Sequence, residues 1–104
     1  ESIAISTSDI QSESIQLIAA QAADDLLDIK GINTSFVIAK KMDGTVFISG
    51  RSLGDINVQV ILEMLGGGGH LEIAGAQFKD TNIEAIKGKL IQSIDQYFME
   101  GVTK

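Results

Sequence analysis

Two runs, Thr34-Ser35-Phe36-Val37-Ile38-Ala39-Lys40 and Thr45-Val46-Phe47-Ile48-Ser49-Gly50, flank the tripeptide Met42-Asp43-Gly44. β-Branched and aromatic residues suit a pleated surface, and Asp-Gly between two such runs is a strong short-range signal for a hairpin. Apolar side chains occupy intervening as well as alternate positions, so both faces of the two strands are expected to be covered. The patterns on either side must supply that cover.

Upstream, Ser2-Ile3-Ala4-Ile5-Ser6-Thr7 mixes apolar and small polar residues as a half-buried strand does. Ser8 and Gln11 have the spacing of a capping box. Ile15, Ile18, Ala19, Ala22, Leu26 and Ile29 then recur at helical spacing, with Lys30-Gly31 as a stop signal. Downstream, Asp55 is expected to cap a helix of about 11 residues, roughly 16 Å long, with Val58, Ile61, Leu62 and Leu65 facing inward. Gly66–Gly69 ends it. Ala74–Phe78 reads as a last strand. Thr81 with Glu84 makes a second capping box before a helix striped by Ile83, Ile86, Leu90, Ile91, Ile94, Tyr97 and Phe98. The pattern gives no reason for Gly88 within that helix, where glycine costs about 1 kcal/mol against alanine. The order β-α-β-β-α-β-α over residues 1–104 implies a single α/β domain, a mixed β-sheet covered by helices.

The totals agree with this. A chain of 104 residues is one domain by length, and roughly two-thirds of its unfolded surface can be buried. No uninterrupted apolar run approaches the roughly 18 residues of a membrane span. The chain opens on Glu1 and is expected to be a piece of a longer protein, with any membrane anchor outside it. Eight basic residues stand against fourteen acidic ones, and seven of the eight are lysines, mostly scattered. Tracking along a polynucleotide needs clustered cations, so a small anion held by a few placed groups fits better than a long nucleic acid.

Two segments carry groups suited to such an anion. Ser49-Gly50-Arg51-Ser52 offers a guanidinium fork for bidentate phosphate contacts and two hydroxyls. Gly66-Gly67-Gly68-Gly69-His70 offers three glycines more than a helix cap needs. They point to positive φ angles or to a backbone that something approaches closely. His70 adds a donor. The plainer readings stay open at this stage: a flexible loop with a structural histidine, and an Arg51 ion pair with Asp55. The two segments lie at opposite ends of the expected helix, so a shared site requires the glycines to run back along it. Asp24, Asp25 and Asp28 read as a solvated helix face. One histidine, no cysteine and no close carboxylate cluster offer no metal site, and no nucleophile–base pair is legible. The chain has binding groups and no reaction centre.

The stretch from Ile48 to Phe78 resembles the domain that accompanies the DHH phosphodiesterase domain. Ser49-Gly50-Arg51-Ser52, Asn57-Val58, the four glycines with His70, and Ala74-Gly75 carry the resemblance. Asp55-Ile56-Asn57-Val58-Gln59 and Gly75-Ala76-Gln77 are most similar to the membrane-anchored cyclic-di-AMP phosphodiesterases of the GdpP type. The resemblance implies a parent with an upstream DHH domain that holds two Mn²⁺ ions and activates water, and no cofactor in this chain. It implies that Arg51 and His70 bind a phosphate, that Gly67, Gly68 and Gly69 let a cyclic or short linear dinucleotide approach, and that Ser49 and Ser52 assist. It also implies a cytoplasmic domain of a membrane-anchored bacterial protein that is inactive alone. A homodimer is left open. Two other readings stand beside this one. One is the substrate domain of a DHH-family single-strand exonuclease or oligoribonuclease. The other is a non-catalytic module that binds nucleic acid or dimerises.

Overall fold

The two central runs form the hairpin that the Asp-Gly turn predicts. The structure is a computed structural model that describes residues 2–10 and 12–100. Its elements are β1 (Ile3–Ser8), α1 (Ile15–Leu26), β2 (Thr34–Lys40), β3 (Val46–Ser52), α2 (Val58–Glu63), β4 (Gly68–Gly69), β5 (Ile73–Phe78) and α3 (Ile83–Met99). The expected order is present, with one element added: the two-glycine strand β4. The sheet runs β1-β2-β3-β5-β4. β1 lies parallel to β2 and every other pair is antiparallel, so the sheet is mixed.

Helices cover both faces of the central strands. On one face Ile15, Ala19 and Ala23 of α1 meet Val37, Ala39 and Phe47. The alanines let α1 lie close, and the buried Ser35 hydroxyl donates to the Ala23 carbonyl at 2.6 Å. On the other face, Phe36, Ile38, Val46 and Ile48 pack with Val58, Ile61 and Leu62 of α2 and with Ile86, Leu90, Ile94 and Tyr97 of α3. Burying each such side chain contributes about 1.5–3 kcal/mol. Every β2 residue from Thr34 to Ala39 is buried. Of the stripe expected on α3, Ile91 and Phe98 stay exposed. At the hairpin, Asp43 Oδ1 accepts the Thr45 N–H at 2.9 Å. That backbone bond, then the Thr45 hydroxyl, and then Lys41 and Lys79 hold the Asp43 carboxyl below the usual aspartate range.

The helix starts differ from the expected ones. Ser8 stays in the β1 ladder opposite Ala39, and its hydroxyl accepts from the Ile10 N–H instead of capping a helix; Gln11 lies outside the described residues. α1 begins after Ser14 and ends at Leu26, so Ile29, Lys30 and Gly31 belong to the turn that follows. Asn57, not Asp55, caps α2 by accepting the Val60 N–H at 3.2 Å. The Asp55 carboxylate instead accepts from the Asn33 amide. Asn82, not Thr81, caps α3 through the Ala85 N–H at 2.8 Å.

α2 is also shorter than expected, six residues from Val58 to Glu63. The Gly67 N–H reaches back to the Leu62 carbonyl at 2.8 Å and the Gly66 N–H to Glu63 at 3.1 Å. With Gly66 at φ +90°, this is the Schellman pattern, which needs a left-handed residue. The chain turns there and runs antiparallel to β5.

Candidate functional site

β3 alternates between the two faces of the sheet. Val46 and Ile48 enter the α2/α3 core and Phe47 enters the α1 core, so Ser49 and Arg51 follow Phe47 on the α1 side. β5 is antiparallel to β3, with Ser49 opposite Gly75 and Arg51 opposite Ile73. β4 in turn sets Gly68 opposite Gly75. Ser49, Gly75 and Gly68 therefore form one row across three strands, spanning two strand spacings or about 9.5 Å. α1 covers β2 and β3 on this face but makes no comparable contact with β5 or β4. A cavity of about 410 Å³ opens over the row, with Gln16, Phe47, Gly66, Gly67 and Gln77 also on its walls. This volume lies within the range of about 300–1,000 Å³ usual for small-molecule sites.

The four glycines meet different demands. Gly66 supplies the left-handed turn. A Cβ at Gly67 would collide with the Gly75 carbonyl oxygen and stand 2.6 Å from the Ala76 Cβ. One at Gly69, where φ is +144°, would collide with the Ile73 carbonyl oxygen and stand 2.6 Å from the Ala74 Cα. The close approach read from the sequence is therefore made at these two positions by the protein's own β5. Only Gly68 has nothing within 4 Å of an added Cβ and a φ open to other residues. It faces the open cavity.

Arg51 stands one strand repeat beyond Ser49 on the same face, roughly 6.6 Å away along β3. Its side chain is 14% exposed, and its Nε–H donates to Asp24 Oδ1 at 3.0 Å. Its Nη1 donates to the Gly50 carbonyl at 2.9 Å, and Nη2 has no partner among the described residues. Arg51 is ion-paired, but with Asp24 on α1 rather than Asp55, and Asp24 is more than solvated helix surface. His70 is exposed in the loop joining β4 to β5, and its N–H donates to the Ile73 carbonyl at 2.6 Å. Arg51 and His70 thus flank Ile73 from the two neighbouring positions.

The separation between the two segments is closed by β4, which carries the glycines back beside β5. The structure groups Ser49, Arg51, Gly67, Gly68 and His70 around one end of the β3-β5-β4 face. Gly69 packs on β5. Ser52 leaves the group: it lies on the α2/α3 side, buried, with its hydroxyl accepting the Gly54 N–H at 2.9 Å. Gly75, Gln77, Gln16 and Asp24 join the site without having been singled out for it. The spacing of Ile73, Gly75 and Gln77 on one strand face was a usable signal for two of them. Nothing local marked Gln16 or Asp24. Among the described residues, no group of three His, Cys, Asp or Glu is placed to hold a metal ion, and no helix is long and apolar enough to cross a membrane.

Comparisons with known proteins bear on the family of the chain. Over 99 residues the chain is 50% identical to the cyclic-di-AMP phosphodiesterase GdpP of Geobacillus thermodenitrificans, covering 95% of this chain and 15% of that protein. It is 49% identical to the cyclic-di-AMP phosphodiesterase PdeA of Listeria monocytogenes, covering 94% and 15%. For the Bacillus subtilis GdpP the identity is 44%, covering 86% and 14%. The chain thus spans about 15% of the length of these relatives. A solved exopolyphosphatase-related protein from Bacteroides fragilis superposes with a TM-score of 0.68 over 88% of this chain and 29% of that one. At 24% identity that likeness speaks for the fold. A family model described as the DHHA1 domain matches residues 2–100, every element of the sheet and its three helices included, and the chain belongs to the DHHA1 domain family.

Proposed function

We propose that this chain is the substrate-binding domain of a phosphodiesterase that hydrolyses cyclic-di-AMP to linear di-adenylate. The row Ser49–Gly75–Gly68 beside Arg51 carries the reading. Its floor has one hydroxymethyl group and otherwise no side chains, so a nucleotide can lie directly on the backbone. The single arginine of the chain stands at its edge. Two fixed bonds hold the guanidinium so that Nη2 can donate to a phosphate oxygen, and preorganisation of this kind lowers the entropy lost on binding. As the edge strand, β4 also keeps a row of backbone groups that no strand satisfies. The His70 side chain adds a donor at the same end. The identities of 44–50% to three proteins named cyclic-di-AMP phosphodiesterases support the choice of substrate.

In this reading, bond breaking belongs to a separate DHH domain with two Mn²⁺ ions. The domain's own work is to bind and orient the dinucleotide.

A titration of the ¹⁵N-labelled chain with cyclic-di-AMP, linear di-adenylate and a single-stranded DNA oligomer tests the reading. Charge-assisted bonds contribute about 1.5–3 kcal/mol each, against several kcal/mol lost on association. Binding by the domain alone is therefore expected in the high micromolar to millimolar range, about 4–6 kcal/mol. Saturable shifts should cluster at 49–51, 66–70 and 75–77 with either adenine dinucleotide, and Arg51→Ala should weaken them roughly tenfold or more. Shifts spread over the lysines with DNA alone would overturn the reading.

A further inference from the structure

A carboxylate is built into the arginine end of the site. Asp24 accepts the Arg51 Nε–H at 3.0 Å, and the sheet holds it there. Ser35 stands opposite Arg51 on β2, and its buried hydroxyl donates at 2.6 Å to the carbonyl of Ala23, the residue before Asp24. The helix gains nothing from this charge. Asp24 lies in the last turn of α1, a turn without a basic residue, and the helix dipole disfavours a carboxylate at that end.

Two kinds of phosphate differ in what such a pair offers them. A phosphodiester carries one negative charge, whereas a terminal phosphomonoester carries nearly two at about pH 7.5, its second pKa being about 6. Beside a lone arginine the second charge would add attraction. Here Arg51 and Asp24 together have no net charge, so attraction to one is offset by repulsion from the other. The Arg51 Nη2–H still reaches one phosphate oxygen in either case. The pair therefore keeps the hydrogen bond and removes the advantage of extra charge.

We infer that Asp24 is a specificity-determining residue, which makes the Arg51 end a subsite for a singly charged phosphodiester rather than a doubly charged phosphomonoester. This rests on the phosphate-binding role proposed for the same face. Water added across one of the two diester bonds of a cyclic dinucleotide leaves a hydroxyl, a terminal phosphate and one intact diester. The linear product thus carries both kinds of phosphate, and Asp24 fixes its register. The internal diester stays on Arg51, and the terminal phosphate lies elsewhere.

The test uses adenosine 3′,5′-cyclic monophosphate and adenosine 5′-monophosphate, a diester and a monoester with the same base. Each is titrated at low salt into the ¹⁵N-labelled wild-type and Asp24→Asn chains. Asparagine keeps an oxygen to accept the Arg51 Nε–H and removes only the charge. Any loosening of Arg51 affects both ligands, so the ratio of their affinities isolates the charge. An oxygen on Nη2 lies roughly 6 Å from the Asp24 carboxylate, where one unit charge in a water-like dielectric changes affinity about threefold. That dielectric applies because the Asp24 side chain is 63% exposed. Asp24→Asn should therefore move the ratio about threefold toward the monoester, and about 1 M salt should shrink the shift toward one. An unchanged ratio, with both ligands still moving the 49–51 amides, would overturn the inference and leave the phosphate role standing. If neither ligand moves those amides in the wild-type chain, both readings fall.

Discussion

A methyl group added at Gly67 would strike the Gly75 carbonyl oxygen and the Ala76 side chain, whereas one added at Gly68 would meet nothing within 4 Å. Gly67→Ala is therefore expected to cost about 1–3 kcal/mol, the usual penalty of forcing extra volume into a packed contact. Gly68→Ala should leave stability within roughly 1 kcal/mol of wild type and still weaken dinucleotide binding, because the methyl group would stand in the open cavity. Urea denaturation of the two variants beside a ligand titration checks this; equal losses of stability would remove the distinction. In sequence Gly67, Gly68 and Gly69 read as one ligand-facing run beyond a helix cap. That was legible because glycine is costly wherever it is not needed. Which of them face β5 and which faces solvent depends on a strand several residues away, so it was not. Asp24 was missed for the same reason: its tie to Arg51 crosses from helix to sheet, and nothing near it in the chain announces the partner.

At the scale of elements, the hairpin turn holds a carboxyl whose ionised form the fold favours. Asp43 ionises more easily in the folded chain because its anion accepts the Thr45 N–H. A lowered folded-state pKa means that the bond's contribution is complete above the ordinary aspartate value, about 3.9. It is lost as pH falls through the lowered one. The Thr45 amide resonance should titrate with its inflection below the ordinary aspartate value of about 3.9; an inflection at that value would argue against the bond. The strands and this turn were readable because side-chain alternation and Asp-Gly act locally. The helix starts were not, since Ser8, Asp55 and Thr81 are all competent caps and each has a competent neighbour. At α2 the selection is made by α3: the Tyr97 hydroxyl accepts the Asn57 N–H at 3.0 Å, fixing the residue that caps.

Taken whole, the molecule is acidic, with a net charge of −6, and it confines its arginine to one end of one sheet face. A long polyanion meets repulsion over most of such a surface, whereas a dinucleotide needs only the local site. The sheet order also has a consequence in time. The β2–β3 hairpin closes through residues 41–45, while β1 can pair with β2 only after the whole of α1 has been spanned. Short closures lose less chain entropy and come first. Refolding should therefore slow for Ile48→Val, in the central strand, while Ile5→Val should chiefly speed unfolding. Stopped-flow chevrons on the two variants separate these cases, and a reversed pattern would mean that the parallel pair nucleates. On the expected order, the β2–β3 hairpin that carries Arg51 is laid down early, and α1 brings Asp24 to Arg51 as one of the last events in the life of the folding chain.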